Sequence, residues 1–175
     1  MKTTFAAAAL AVLGAVPAMA QDYNITVTNN MPEGNTIAPL IVVDALLASP
    51  IMFNDDGSMS DLYRTTILKG DPRPMNGKIG DGVAGPVLGT SGPPGVLIAG
   101  GETATADMFI FGNTIRFYAK GSYGPDADTL ISGVYDISTG PGTIHLNRYD
   151  IGASEGTNEI TLVDEGVVTI VIKAN

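Results

Sequence analysis

The sequence predicts an all-β fold, an antiparallel β-sandwich with one short helix and a long Gly/Pro-rich loop, and three observations predict it. Glycine occurs 22 times and proline 11 times in 175 residues, which supplies many turns. Apolar residues still make up 45% of the chain against 15% charged, enough to build a core. Several stretches of strand length then alternate apolar and polar residues or run continuously apolar.

Taken in order, residues 1–20 read as a secretory signal peptide. Lys2 precedes an apolar run from Phe5 to Val16, and Ala18-Met19-Ala20 puts small residues where signal peptidase cuts. The run is shorter than the roughly 20 residues that cross a bilayer. The expected product is a single domain over 21–175, periplasmic or extracellular. It contains no cysteine, so its stability comes from a core and not from disulfides.

Tyr23, Ile25 and Val27 alternate with Asn24, Thr26 and Thr28, the pattern of a half-buried strand. Ala38 to Val43 is a continuous apolar run that suits a buried strand or a buried helix. Asn54-Asp55-Asp56-Gly57 is a turn, because it lacks the alternating ligand spacing and closing Glu of a calcium-binding EF-hand loop. Ser58 or Ser60 caps a helix to about Leu68, with Leu62, Ile67 and Leu68 as its apolar face. From Lys69 to Ala99, closely spaced glycines and prolines predict mostly irregular backbone, with Met75, Ile79, Val83, Val87 and Leu88 needing burial. Strands follow at Thr103–Phe111, Thr114–Ala119, Thr129–Tyr135, Thr143–Tyr149, Glu159–Val163 and Val167–Lys173.

Charge excludes some partners. The formal net charge is −9, and −10 once Lys2 leaves with the leader, with no basic cluster. Nucleic acid and anionic lipid are therefore repelled, and no segment is long enough to span a membrane. Catalytic groups are few. The lone histidine, His145, falls on the polar face of its strand with Thr143 and Asn147, which predicts a solvent-facing residue. No Gly-x-Ser-x-Gly elbow, dinucleotide fingerprint or P-loop is present.

Carboxylates are more informative. Asp126 and Asp128 stand just before one strand, and Asp150, Glu155 and Glu159 gather after another. Two such loops meeting at one end of a sandwich would crowd like charges that a hard cation neutralises, and Ca²⁺ takes 6–8 oxygen ligands in flexible geometry. Acidic loops kept apart and wet are the other reading.

Three stretches together resemble the spondin domain in its bacterial secreted form: Ala38-Pro39-Leu40-Ile41-Val42 with Met52-Phe53, then Pro125-Asp126-Ala127-Asp128-Thr129-Leu130-Ile131-Ser132-Gly133-Val134, and Arg148-Tyr149-Asp150-Ile151-Gly152-Ala153-Ser154-Glu155. The resemblance spans roughly Tyr23 to Ile172. It implies a C2-like β-sandwich with a calcium site at one end, and extracellular matrix or adhesion roles like those of the animal members. The family's Pro-x-x-Asp matches Pro125 to Asp128. Its Asp-Ala-Gly-Thr-acid turn is matched at Asp150 and Gly152, whereas Ile151, Ala153 and Ser154 depart from it and Glu155 follows one residue later. Asp128, Asp150 and Glu155 become the expected calcium ligands.

The expected function is thus a non-catalytic binding or adhesion module, with an extracellular protein or glycan as partner. A carboxylate-based hydrolase acting on an extracellular glycan is a second reading, which needs two carboxyl groups about 5–10 Å apart beside a groove. A third is a structural subunit self-associating through edge strands, with Val167–Lys173 as the most apolar candidate edge.

Overall fold

A computed structural model of the chain describes residues 21–121 and 128–175. The expected export leader and Asp126 lie outside the described residues. The elements run β1 (Gln21–Asn29), β2 (Thr36–Ile37), β3 (Leu40–Asp44), α1 (Ala45–Met52), α2 (Asp61–Lys69), α3 (Arg73–Ile79), β4 (Val83–Val87), β5 (Ile98–Ala99), β6 (Thr103–Ile110), β7 (Thr114–Lys120), β8 (Thr129–Asp136), β9 (Gly142–Asp150) and β10 (Thr161–Ala174).

The fold is all-β and antiparallel. Eight strands form one sheet in the order β4-β3-β7-β8-β9-β10-β1-β6, and β2 pairs with β5 in a small second sheet. The two edges, β4 and β6, lie against each other, so the large sheet nearly closes into a barrel. Both walls around the core thus come from one continuous sheet.

Strand alternation divides the apolar residues between two layers. Ile25 and Val27 of β1, Leu40 and Val42 of β3, Ile115 and Phe117 of β7, Leu146 of β9 and Ile170 of β10 point inward and pack together. On the outer face, Ile41, Val43, Tyr118 and Leu130 meet Ala48, Met52, Tyr63, Ile67, Met75 and Ile79 from the three helices. Strand β3 is buried along its whole length because the barrel interior covers one side and the helices the other. That is why Leu40 to Val43 reads as an unbroken apolar run.

Each helix has an identifiable local cause. Asp44 caps α1, its carboxylate accepting from Leu47 N at 2.9 Å. Ser60 caps α2, and Gly70 ends it in the left-handed conformation. The buried face of α2 is Tyr63, Thr66 and Ile67, while Leu68 is 40% exposed. Tyr63, not among the residues expected on the apolar face, takes the place expected for Leu68.

Three expectations are corrected. There are three α-helices among the described residues, not one. The Lys69–Ala99 segment is not mostly irregular, since it contains α3, a 3-10 turn at Gly80–Gly82 and β4. Met75 and Ile79 stand four apart, and that helical spacing buries both against the outer face. Pro86 is tolerated in β4 because this is an edge strand. Finally, the segments expected as two strands at Glu159–Val163 and Val167–Lys173 form the single strand β10. The Asp164-Glu165-Gly166 stretch is a bulge and not a turn. Gly166, at φ +65°, receives a side-chain hydrogen bond at its carbonyl oxygen from Asn30 (3.1 Å) and donates its N–H to Asn147 (3.0 Å). Val167–Lys173 is therefore no edge: β9 and β1 pair with it on either side.

Candidate metal centre

The register of two neighbouring strands assembles the acidic cluster. Asp128 immediately precedes β8 and Asp150 ends β9, where Thr129 pairs directly with Asp150. Glu155 lies in the following loop, which folds back over this pair. Ile151 N donates to the Asp128 carbonyl oxygen at 3.1 Å. The Asp128 carboxylate accepts from the backbone N–H groups of Ala153 (3.1 Å) and Ser154 (2.8 Å). Asp150 accepts from Gly152 N at 2.6 Å.

Gly152 makes the turn with φ +62°, and a Cβ there would lie 2.3 Å from Thr157 Oγ1 and 2.9 Å from Glu159 N. Only glycine fits this close approach. From the helix layer, Arg64 donates to the Ile151 carbonyl oxygen at 3.1 Å.

One ligand oxygen each from Asp128, Asp150 and Glu155 then lies within 4.8 Å of the others. Asp128 is buried, Asp150 half-buried and Glu155 exposed. Burial alone would raise the Asp128 pKa, but the hydrogen bonds from Ser154 and Ala153 outweigh it and hold the carboxyl below its usual range. The group stays ionised in a crowded acidic site. Lys120, at the end of β7, is buried nearby and donates to the Leu68 carbonyl oxygen. Its desolvation lowers the ammonium pKa, partly opposed by the charge of Asp128.

The structure brings all three sequence-predicted acids together. Glu159 does not join the cluster among the described residues. His145 is exposed on the outer side of β9, with Nδ1 3.1 Å from Thr169 Oγ1. Sequence reasoning missed Lys120, Arg64 and the backbone donors of Ala153 and Ser154. Only Lys120 carried a signal, being a cation at the end of a largely apolar strand.

This arrangement can hold a cation by oxygen ligands. Two oxygens on opposite sides of a Ca²⁺ ion stand about 4.8 Å apart, given bond lengths near 2.4 Å. Ligand oxygens within 4.8 Å of one another are close enough for the cluster to hold an ion. The carboxylates retain lone pairs after accepting their backbone hydrogen bonds. No family model matches this chain, and no curated protein is significantly similar to it.

Proposed function

We propose that the chain is an exported, non-catalytic binding or adhesion module of the spondin type, whose loop end is stiffened by calcium. The carrying observation is the convergence of Asp128, Asp150 and Glu155, ligand oxygens within 4.8 Å, on a turn that the resemblance marks as the family's calcium site. Calcium suits the site better than magnesium, because one of its three acids is exposed on a loop and Mg²⁺ demands a tighter octahedron. In this reading the ion ties the loop after β9 to the start of β8 and presents a fixed surface to an extracellular protein or glycan. The sequence of the leader supports export, and the net negative charge disfavours nucleic acid and anionic membranes as partners.

The hydrolase reading draws less support. Glycoside hydrolysis by two carboxylates uses separations of about 5–5.5 Å with a covalent intermediate or about 6.5–9.5 Å without one, beside room for a sugar. These three carboxylates approach closer, and the cavities of about 310, 500 and 620 Å³ are lined by other residues.

Asp150→Ala tests the proposal. Loss of the hydrogen bond to Gly152 lowers stability in any buffer, and loss of a ligand adds a further decrease only in calcium. A larger loss in calcium than in chelator is expected in paired melting curves. Equal losses contradict the proposal.

A further inference from the structure

Outside the acidic cluster, the outer face of the sheet holds a cation with no counter-charge. Arg116 lies on β7, paired with Val134 of β8, on the face that the helices cover. It makes no hydrogen bond or ion pair among the described residues, and its Nε is buried without a partner. Its guanidinium carbon sits 5.0 Å from the centroid of the Phe53 ring. Phe53 is itself held edge-on by Tyr63 at 5.7 Å, and Tyr63 by Tyr118 at 5.6 Å. The cation is thus backed by an aromatic stack.

A cavity of about 310 Å³ opens beside this group, lined by Phe53, Leu130, Val134, Tyr149 and Ile160 with Arg116 and Ser132 as its polar members. Val134 and Ile160 remain exposed at its mouth. The three helices pack beside it on β3, β7 and β8. A half-buried guanidinium without an acceptor is costly, and it is unusual in a chain where acids outnumber bases two to one.

We propose that this pocket binds a small organic monocarboxylate with an apolar body, its carboxylate on the Arg116 guanidinium and its hydrocarbon against Phe53, Leu130, Val134 and Ile160. Guanidinium groups pair with carboxylates through parallel N–H···O bonds, and the surrounding residues, Ser132 and the Tyr149 hydroxyl aside, offer apolar surface to the remainder of the ligand. A neighbouring cavity that shares Ile160 carries Asp56 and Glu159. These acids repel additional negative charge, so the pocket selects one carboxylate over phosphate or a dicarboxylate. The inference stands apart from the calcium reading, since none of the three clustered carboxylates lines the pocket.

The probe is 3-phenylpropanoate, with its neutral amide and inorganic phosphate as controls, titrated into the wild-type protein by calorimetry and by NMR of the Arg116 side-chain N–H. The expected result is saturable binding of the carboxylate with a shift at Arg116, and much weaker binding of both controls. Arg116→Gln should weaken binding by about tenfold or more, the order expected when a charge-assisted hydrogen bond is lost. Val134→Glu, at an exposed mouth position, should weaken it without touching the buried layer and serves if Arg116→Gln fails to fold. Equal binding of acid and amide, an unchanged affinity in Val134→Glu, or no saturable binding of the acid overturns the proposal.

Discussion

The barrel interior and the helix-covered outer face are built from the same strands, yet they satisfy their polar groups differently. Inside, Asn29 is fully buried, and its side chain donates to the carbonyl oxygens of Ile98 (3.0 Å) and Asn35 (3.3 Å) while accepting from Met31 N (3.1 Å). Outside, Tyr63 is just as buried, but its hydroxyl has no partner. Burial drives its pKa far up, with the Arg116 charge pulling the other way, so the phenol stays neutral. Arg116 beside it is likewise unpaired. The inward side has its own buried polar atoms without a partner, Thr129 Oγ1 and Arg148 Nε, where β8 and β9 meet. What sets the outer layer apart is a cavity beside its unpaired groups, the property expected of a face that receives something.

That contrast can be broken or sharpened by substitution. The largest effect is expected inside. Ile170→Ala, in the middle of β10 between β9 and β1, should cost about 2–5 kcal/mol in denaturant unfolding, because strands paired on both sides cannot collapse into the void. Asn29→Ala should follow at about 1–3 kcal/mol, since it strands three backbone groups in the interior. If Asn29→Ala proved neutral, the hydrogen bonds of this buried side chain would have no structural task, and the contrast with Tyr63 would fall.

Acid should act through the loop end. Asp128 has a folded pKa below its unfolded value of about 3.9. Its contribution to stability is therefore complete above the unfolded value and lost as pH falls through the folded one. Asp128→Asn should be less stable than the wild type at neutral pH and show a shallower decline below pH about 4. A decline as steep as that of the wild type would assign acid sensitivity to other groups. The smallest effect is expected for Tyr63→Phe, which deletes a hydroxyl that bonds to nothing. Unfolding free energy should stay the same or rise slightly, and a loss above about 1 kcal/mol would show that the hydroxyl has a partner in solution.

The sequence carried the strands well because their cause is local. The alternation of Tyr23, Ile25 and Val27 survives as the inward face of β1, and the polar position expected for His145 is where it lies. The helix cap at Ser60 was legible for the same reason, as an oxygen three residues before a free N–H. What sequence could not supply was the partner across space. Tyr63 is buried because Phe53 and Tyr118 flank it, which no window around Tyr63 reveals. Met75 and Ile79 were visible as residues needing burial, but their helix was hidden by Pro72, Pro74 and Gly77 around them. The segment Val167–Lys173 looked like an edge because its apolar content says nothing about pairing order.

At the candidate site the acids were legible and their support was not. Asp128, Asp150 and Glu155 could be named from a motif, whereas the pairing of Thr129 with Asp150 and the reach of Arg64 from α2 to Ile151 follow only from the folded sheet. Arg116 had no sequence signal at all. Its significance is the absence of an ion-pair or hydrogen-bond partner among the described residues, which only the folded sheet reveals.

The most direct test of the calcium-stiffened loop end is the melting curve of residues 21–175 in excess chelator and across a calcium titration, with magnesium as the control. An ion that binds only the folded state must raise the midpoint progressively with its concentration. The account predicts a calcium-selective rise that Glu155→Gln diminishes. A midpoint that stays fixed from chelator to saturating calcium would contradict it, leaving Asp128 and Asp150 as turn-forming residues held by the backbone of the loop.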